Sequence, residues 1–322
     1  MTAHLLSDDG MAHVRFQRVL VTGATGFLGK PLVERLALHG YTVTAVGRRQ
    51  AQSPFDVSVE YVRGDLSDAT IAMRLFEPWR WDAVINLAGP VPNGDSASDD
   101  AYDVLEQHLN IALNVCLALP AMWSGRLIHA SSMVVYGIPE RLPVDETHPR
   151  RPINSYGAAK MLSEDVVLAF ARGYSVDCWV LRFPGLFSEV RQSGALFHFM
   201  RAAAEGRPLV VSAPQPVPWD VLHAADAIEA IVWSLAVGAS HPGVINVSYG
   251  CPVELVTIAK QIAARAGADI QVENRTGVRH PLFRMDISKA RRLLHWPPTT
   301  LEARLDEMWR TIVMERRIAV SR

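Results

Sequence analysis

Cysteine is scarce in this chain: Cys116, Cys178 and Cys251 are the only three, an odd and scattered set. No pair has metal-ligand spacing and no framework can form, so neither a disulfide scaffold nor a cysteine metal site is expected, and a reducing cytoplasm is the expected location. Net charge is nearly absent as well. A formal charge of −1 gives no bulk attraction to nucleic acid or to an anionic membrane, and neither is expected as a partner. Long apolar runs are missing: nothing approaches the ~18 uninterrupted apolar residues that a membrane span needs. The opening MTAHLLSDDG lacks the basic start and apolar stretch of a signal peptide. Residues 1–14 therefore read as a disordered lead-in, with Met11 an alternative start. Internal repeats and low-complexity tracts are absent too. What is present, 322 residues with 49% hydrophobic and 20% charged content, suffices for one large α/β domain or two modest ones.

The apolar run Arg18 to Thr22 is short, β-branched and followed by glycine, which predicts a buried strand. Pro31 to His39 has helical apolar spacing and stops at Gly40. Further strands are expected at Tyr41–Val46, Val59–Arg63, Ala83–Leu87, Arg126–Ala130 and Val176–Arg182. Helices are expected between them, notably over 101–119 and 155–172. Such alternation predicts a doubly wound parallel sheet. After Arg182 the character changes. Residues 183–218 are rich in proline and glycine, a helix over 226–237 and a strand over 243–247 follow, and two helices precede a polar stretch from about residue 251. Helices over 288–294 and 301–317 close the chain.

Thr22-Gly-Ala-Thr-Gly-Phe-Leu-Gly29 lies between the first strand and the first helix. Glycines there permit a tight turn and close backbone approach to a pyrophosphate, while the helix N-terminus offers free N–H donors. Gly23, Thr25, Gly26, Phe27, Leu28 and Gly29 are the expected contacts. The second strand ends Ala45-Val46-Gly47-Arg48-Arg49, without the carboxylate that an NAD site places there. Arg48 and Arg49 can instead pair with a 2′-phosphate, so NADP(H) is preferred and NAD(H) remains possible. Asp65 either accepts from the adenine amino group or caps the next helix. Leu66 beside it, and Leu87, Ala88 and Gly89 after the fourth strand, complete the adenosine side. Asn110 either carries a structural water or kinks its helix at the cofactor side, or is a plain helix-surface amide. No metal site is expected.

Tyr156 and Lys160 stand four positions apart on a predicted helix and so share a face. An ammonium beside a phenol favours the phenolate, which moves a tyrosine toward acid/base work near neutral pH. Ser132 follows the fifth strand at its C-terminal end, where open α/β sheets bind ligands, and can hold the substrate oxygen.

With these motifs in order, the chain resembles the extended short-chain dehydrogenase/reductase family, in its sugar-nucleotide epimerase/dehydratase/reductase branch. The matching stretches are TGATGFLG at 22–29, GDLSD at 64–68, INLAG at 85–89, HASSMVVYG at 129–137, NSYGAAK at 154–160, LRFPGLF at 181–187, DVLHAAD at 220–226 and DISKARRLLHW at 286–296. The resemblance implies an α/β fold: a Rossmann-type doubly wound parallel sheet over 15–182 plus about 219–250, and a smaller C-terminal α+β substrate domain from 183–218 plus 251–322. It assigns Ser132, Tyr156 and Lys160 as catalytic, with Tyr156 and Lys160 also touching the cofactor. It places Arg182 to Pro184, and so Phe183, beside the nicotinamide, and it implies a homodimer through a four-helix interface built from helices 101–119 and 155–172.

The departures narrow the reaction. Dehydratases of this branch carry Asp and Glu directly after the catalytic hydroxyl, where this chain has Met133 and Val134, so β-elimination lacks its acid and base. The cysteine of the GDP-sugar epimerase-reductases is missing from the same loop. The lead expectation is NADPH-dependent reduction of a keto group on a nucleotide-linked (deoxy)sugar, with Tyr156 as proton donor. The alternative is an NAD-retaining sugar-nucleotide C4 epimerase, and a third reading is a non-catalytic NADP-binding sensor or scaffold. Many relatives have an arginine before the Asp-x-x-His segment, where this chain has Trp219. That indole either stacks on a base or sugar or packs in the core. Arg275 and Arg279 either form a replacement diphosphate clamp or belong to a solvated basic loop, and His223 is expected to be structural.

Overall fold

The structure is a computed structural model that describes residues 16–50, 55–76, 81–91, 101–120, 122–190, 194–211, 218–238, 241–273, 282–294 and 296–320. The lead-in over 1–14 and the candidate clamp at Arg275 and Arg279 lie outside the described residues. In the first half, strands β1 (Arg18–Thr22), β2 (Thr42–Gly47), β3 (Glu60–Arg63), β4 (Ala83–Asn86) and β5 (Arg126–Ser132) alternate with helices α1 (Gly29–Leu38), α2 (Ala69–Phe76) and α3 (Ala101–Ala118). A short 3-10 turn, Met133–Tyr136, precedes α4 (Ser155–Tyr174) and β6 (Asp177–Phe183). Then come β7 (Gly185–Phe187), α5 (Ala195–Ala204), β8 (Leu209–Val211), β9 (Pro218–Trp219), β10 (Val221–His223), α6 (Ala224–Ala236) and β11 (Gly243–Asn246). The chain closes with β12 (Val253–Glu254), α7 (Leu255–Ala266), β13 (Ile270–Val272), α8 (Ser288–Leu294) and α9 (Leu301–Val320).

Seven strands form one sheet in the order β11-β6-β5-β4-β1-β2-β3, parallel at every pairing. Central strands of such a sheet are buried on both faces, which is why they read as continuous apolar runs. Alternation still decides which face each residue fills. Val19 and Val21 join Leu32, Leu36 and Ile231 in the layer of α1 and α6. Leu20 points the other way, to Ala72, Val115 and Val167 of α2, α3 and α4.

The strand order reverses between β1 and β4, and this crevice at the C-terminal strand ends is where doubly wound sheets bind ligands. Outside this sheet, three two-stranded pairs form, β7 with β10, β9 with β12 and β8 with β13. Two helices are expected between 251 and the polar stretch, but the described residues form one, α7, followed by β13. The segment Ile270–Val272 pairs with Leu209–Val211, so a tertiary partner overrides local helical tendency there.

One buried ion pair ties the elements around the site together. Glu164 of α4 accepts from Arg182 of β6 at 2.8 and 2.6 Å, and from Ser131 of β5. Arg182 also donates to the Tyr136 hydroxyl at 2.7 Å, which donates in turn to Asn246 of β11 at 2.7 Å. A paired and fully hydrogen-bonded charge is the form in which a carboxylate can sit at zero exposure, as Glu164 does.

Candidate active site

The glycine turn closes on itself. The Gly26 N–H donates to the Gly23 carbonyl at 2.9 Å. A Cβ on Gly29 would stand 2.1 Å from that carbonyl oxygen, and one on Gly23, whose φ is +64°, would stand 2.8 Å from the backbone of Leu87 and Ala88. Only glycine permits this packing. The turn at Gly23 therefore lies directly against Leu87 and Ala88 and leads into the N-terminus of α1, whose positive dipole end suits a pyrophosphate, so the residues fit a dinucleotide. Thr25, Phe27 and Leu28 border the turn. Thr25 lies against Gly47, where an added Cβ would meet its Oγ1 at 2.9 Å.

At the end of β2, Arg48 and Arg49 are exposed. Arg48 donates to Gln107 at 3.2 Å and lies 3.8 Å from the Asp65 carboxylate. Asp65 turns its Oδ1 onto Ser67 N and Oγ at 3.0 and 2.8 Å, which with Arg48 holds its pKa below the usual value against the opposing effect of burial. The cap of α2 is instead Asp68, which accepts from Thr70 N at 2.8 Å. Leu66 is buried.

Ser132 ends β5 and caps the 3-10 turn, accepting from Val134 N at 3.4 Å. Gly157 of α4 lies under that turn, so close that a Cβ would sit 2.8 Å from the Val134 carbonyl oxygen. Tyr156 and Lys160 are thereby set against the end of β5. Lys160 is buried and donates to the Ala130 carbonyl at 3.0 Å, with its Nζ 6.0 Å from the Tyr156 ring centroid. Burial draws this ammonium down to about 8, against the pull of Glu164 one turn on. At neutral pH it remains mostly charged. Phe183 and Pro184, both buried, lie at the same end of the sheet, after β6.

His108, on α3, is the functional neighbour that the sequence reading misses. Its ring meets Tyr156 edge to face at 5.7 Å, and its Nε2 bonds the Pro90 carbonyl at 2.9 Å. A carbonyl only accepts, so Nε2 carries the proton. The ring also fills the space beside Gly89, where a Cβ would stand 2.1 Å from Cε1. Asn110, the expected residue on this helix, makes no side-chain hydrogen bond among the described residues. Two positions at 3.6 residues per turn place it about 200° around the helix from His108. The buried stripe Val104, His108, Ile111, Val115 is the signal that identifies His108.

Trp219 is half-buried and packs over Gly185, where a Cβ would stand 2.6 Å from Cζ2, consistent with the packing reading. His223 caps α6 through Nδ1, accepting from Ala225 N at 3.2 Å, and its Nε2 donates to Glu189 at 3.3 Å, a structural arrangement. Among the described residues no group of His, Cys, Asp and Glu could hold a metal ion, and no helix is long and apolar enough to cross a membrane.

The sequence pattern described as "NAD dependent epimerase/dehydratase family" matches residues 19–248. A probable UDP-arabinose 4-epimerase of Arabidopsis thaliana is 27% identical, over 96% of this chain and 83% of its own. The UDP-glucose 4-epimerase of Mycolicibacterium smegmatis is 28% identical over 87% and 93%. Among solved structures, UDP-glucose 4-epimerase from Thermotoga maritima, with UDP-glucose, superposes with a TM-score of 0.80 at 21% identity, covering 94% of this chain and 99% of that one. UDP-glucuronic acid 4-epimerase from Bacillus cereus, with UDP-glucuronic acid and NAD, gives 0.80 at 22% identity over 92% and 98%.

Two buried histidines generate a pH dependence. Burial, with Lys160 nearby, lowers His108 to about 3 and holds His129 well below the ordinary histidine value. Both stay neutral in the folded state, whereas the unfolded chain binds their protons below about pH 6.5. Stability is therefore lost as pH falls through 6.5 toward the folded values. His108 alone costs about 2 kcal/mol by pH 5. Urea unfolding at pH 7 and pH 5 measures the loss, and His108→Asn should remove its share. An unchanged slope would disprove the assignment.

Proposed function

The chain belongs to the NAD dependent epimerase/dehydratase family, and within it we propose a nucleotide-sugar C4 epimerase that retains its nicotinamide cofactor. The observation that carries this reading is the site itself: Ser132, Tyr156 and Lys160 gathered at the end of β5, with Met133 and Val134 offering no second acid or base for elimination. UDP-sugar 4-epimerases among the relatives, aligned over most of both chains, support it over the keto-reductase reading that the sequence alone favours.

A bound nicotinamide would supply a reversible hydride acceptor for C4, which would make the reaction redox-neutral overall. Tyr156 would take the proton of the C4 hydroxyl in the oxidation and give it back in the reduction. The Lys160 ammonium favours the phenolate that this requires. Ser132 holds the C4 oxygen through both steps. Gly23, Gly26 and Gly29, at the start of α1, would hold the pyrophosphate, and Leu87 to Gly89 would border the adenosine side.

Purified protein should carry bound cofactor and equilibrate a UDP-hexose with its C4 epimer without added NAD, followed by proton NMR. Tyr156→Phe should lower kcat by about 10²–10⁴-fold and keep the cofactor. Wild-type turnover in that variant would remove Tyr156 from the role.

One observation favours the reductase as a second reading: Gly47-Arg48-Arg49 offers two guanidinium groups and no carboxylate at the end of β2, the pattern for a 2′-phosphate. Arg48→Asp should then weaken NADPH by at least about tenfold more than NADH, a difference of about 1.4 kcal/mol. Equal losses would eliminate the NADP preference.

We further propose a homodimer through α3 and α4. Tyr102 and Leu117 on α3 are 71% and 69% exposed and Tyr174 on α4 is 51% exposed, an apolar face that a second copy would cover. Sedimentation should return twice the 35.5 kDa chain mass, reverting to a monomer in Leu117→Arg. A monomeric wild type would overturn the proposal.

A further inference from the structure

Between the glycine turn and the catalytic helix runs a line of polar groups that the reaction itself does not use. Thr22, Asn86, His129 and Ser163 are each at most 2% exposed, and they come from β1, β4, β5 and α4. The direction of every bond among them is determined. The Ala88 N–H can only donate, and it reaches Thr22 Oγ1 and Asn86 Oδ1, both at 3.3 Å. Thr22 donates to the same Asn86 Oδ1 at 2.7 Å. The other end of that amide must therefore be its NH₂, which faces His129 Nδ1 at 3.2 Å. Nδ1 thus accepts, and the proton sits on Nε2, 3.1 Å from Ser163 Oγ. The Ser163 hydroxyl donates onward to the Lys160 carbonyl at 2.8 Å.

The line begins at the loop bordering the cofactor and ends on the catalytic lysine, with each donor pointing the same way. Lys160 is held at its other end too, since its Nζ donates to Ala130, the residue after His129. Bonds in such a series polarise one another and respond as a unit. No link can reverse alone, because the Ala88 amide at one end and the Lys160 carbonyl at the other set its polarity.

We infer that His129 is a positioning residue: with Thr22, Asn86 and Ser163 it couples the cofactor-bordering loop at Ala88 to the placement of Lys160, so that seating the dinucleotide and holding the lysine are one event. This rests on the nicotinamide-dependent reading above, not on which sugar is turned over. Ser163 touches neither the glycine turn nor residues 87–89, yet a change there must be felt at the cofactor.

The test is a double-mutant cycle on the full-length chain, freed of retained cofactor, with Thr22→Val, Ser163→Ala and the pair, reading the Kd for NADH by fluorescence titration. Each single change should weaken NADH by about three- to tenfold, and the pair should fall short of the product by at least about threefold, the signature of a shared network. Thr22→Ser, which keeps the hydroxyl, should bind as wild type. With a nucleotide sugar, the two single variants should lower kcat and leave KM within about twofold. Thermal melts within a few degrees of wild type exclude general loss of structure as the cause. The inference is overturned if Ser163→Ala leaves the NADH Kd unchanged, if the two effects multiply, or if Thr22→Ser loses affinity as Thr22→Val does. Absence of turnover with every sugar would instead count against the proposed reaction, and the NADH cycle would still decide the coupling.

Discussion

An ammonium group removed from water must be held by something, and most of the site follows from how Lys160 is held. Its Nζ rests on the Ala130 carbonyl at 3.0 Å, and Glu164 stands one turn farther along α4. Glu164 is in turn committed to Arg182 and Ser131, so the charges of α4 and β6 and the polar groups of β5 are interlocked. Removing any one member would leave a buried partner uncompensated, which is far more costly than never having buried the pair. The lysine thus imposes requirements on residues well outside reach of a substrate.

One consequence is that the histidines around it stay neutral. His108 and His129 both lie close enough to Lys160 to feel its charge, and both are fixed as single neutral tautomers, the one by the Pro90 carbonyl and the other by Asn86 and Ser163. The protein thereby fills the space around Tyr156 with polar rings while leaving the ammonium as the cation beside the phenol. Electrostatic preorganisation of this kind costs nothing at the moment of reaction, because the dipoles are already set by folding.

Much of this was legible in the sequence. The glycine turn, Ser132 and the Tyr156–Lys160 pair are local patterns whose chemistry depends on spacing along the chain, and strand-helix alternation carries the sheet. The segment 270–272 was not legible, because its strand state depends on β8, about sixty residues earlier. Asn110 was chosen on residue type alone, although the phase of the buried positions on α3 points to His108. The Thr22–Asn86–His129–Ser163 line is assembled across four elements, so no sequence window contains it. Its trace is only that Asn86 and His129 interrupt otherwise apolar strands, and a polar residue in a strand buried on both faces needs a partner.

Trp219 and Gly185 carry a consequence of a different kind. The indole occupies the volume that any side chain at 185 would need, with 2.6 Å left to a Cβ. The two positions therefore trade a fixed volume between them. A homologue with a side chain at 185 must have given up the indole at 219, and one that keeps the tryptophan must keep the glycine. This pair of letters, read from sequence alone, sorts relatives into those that share this packing and those that have rebuilt it.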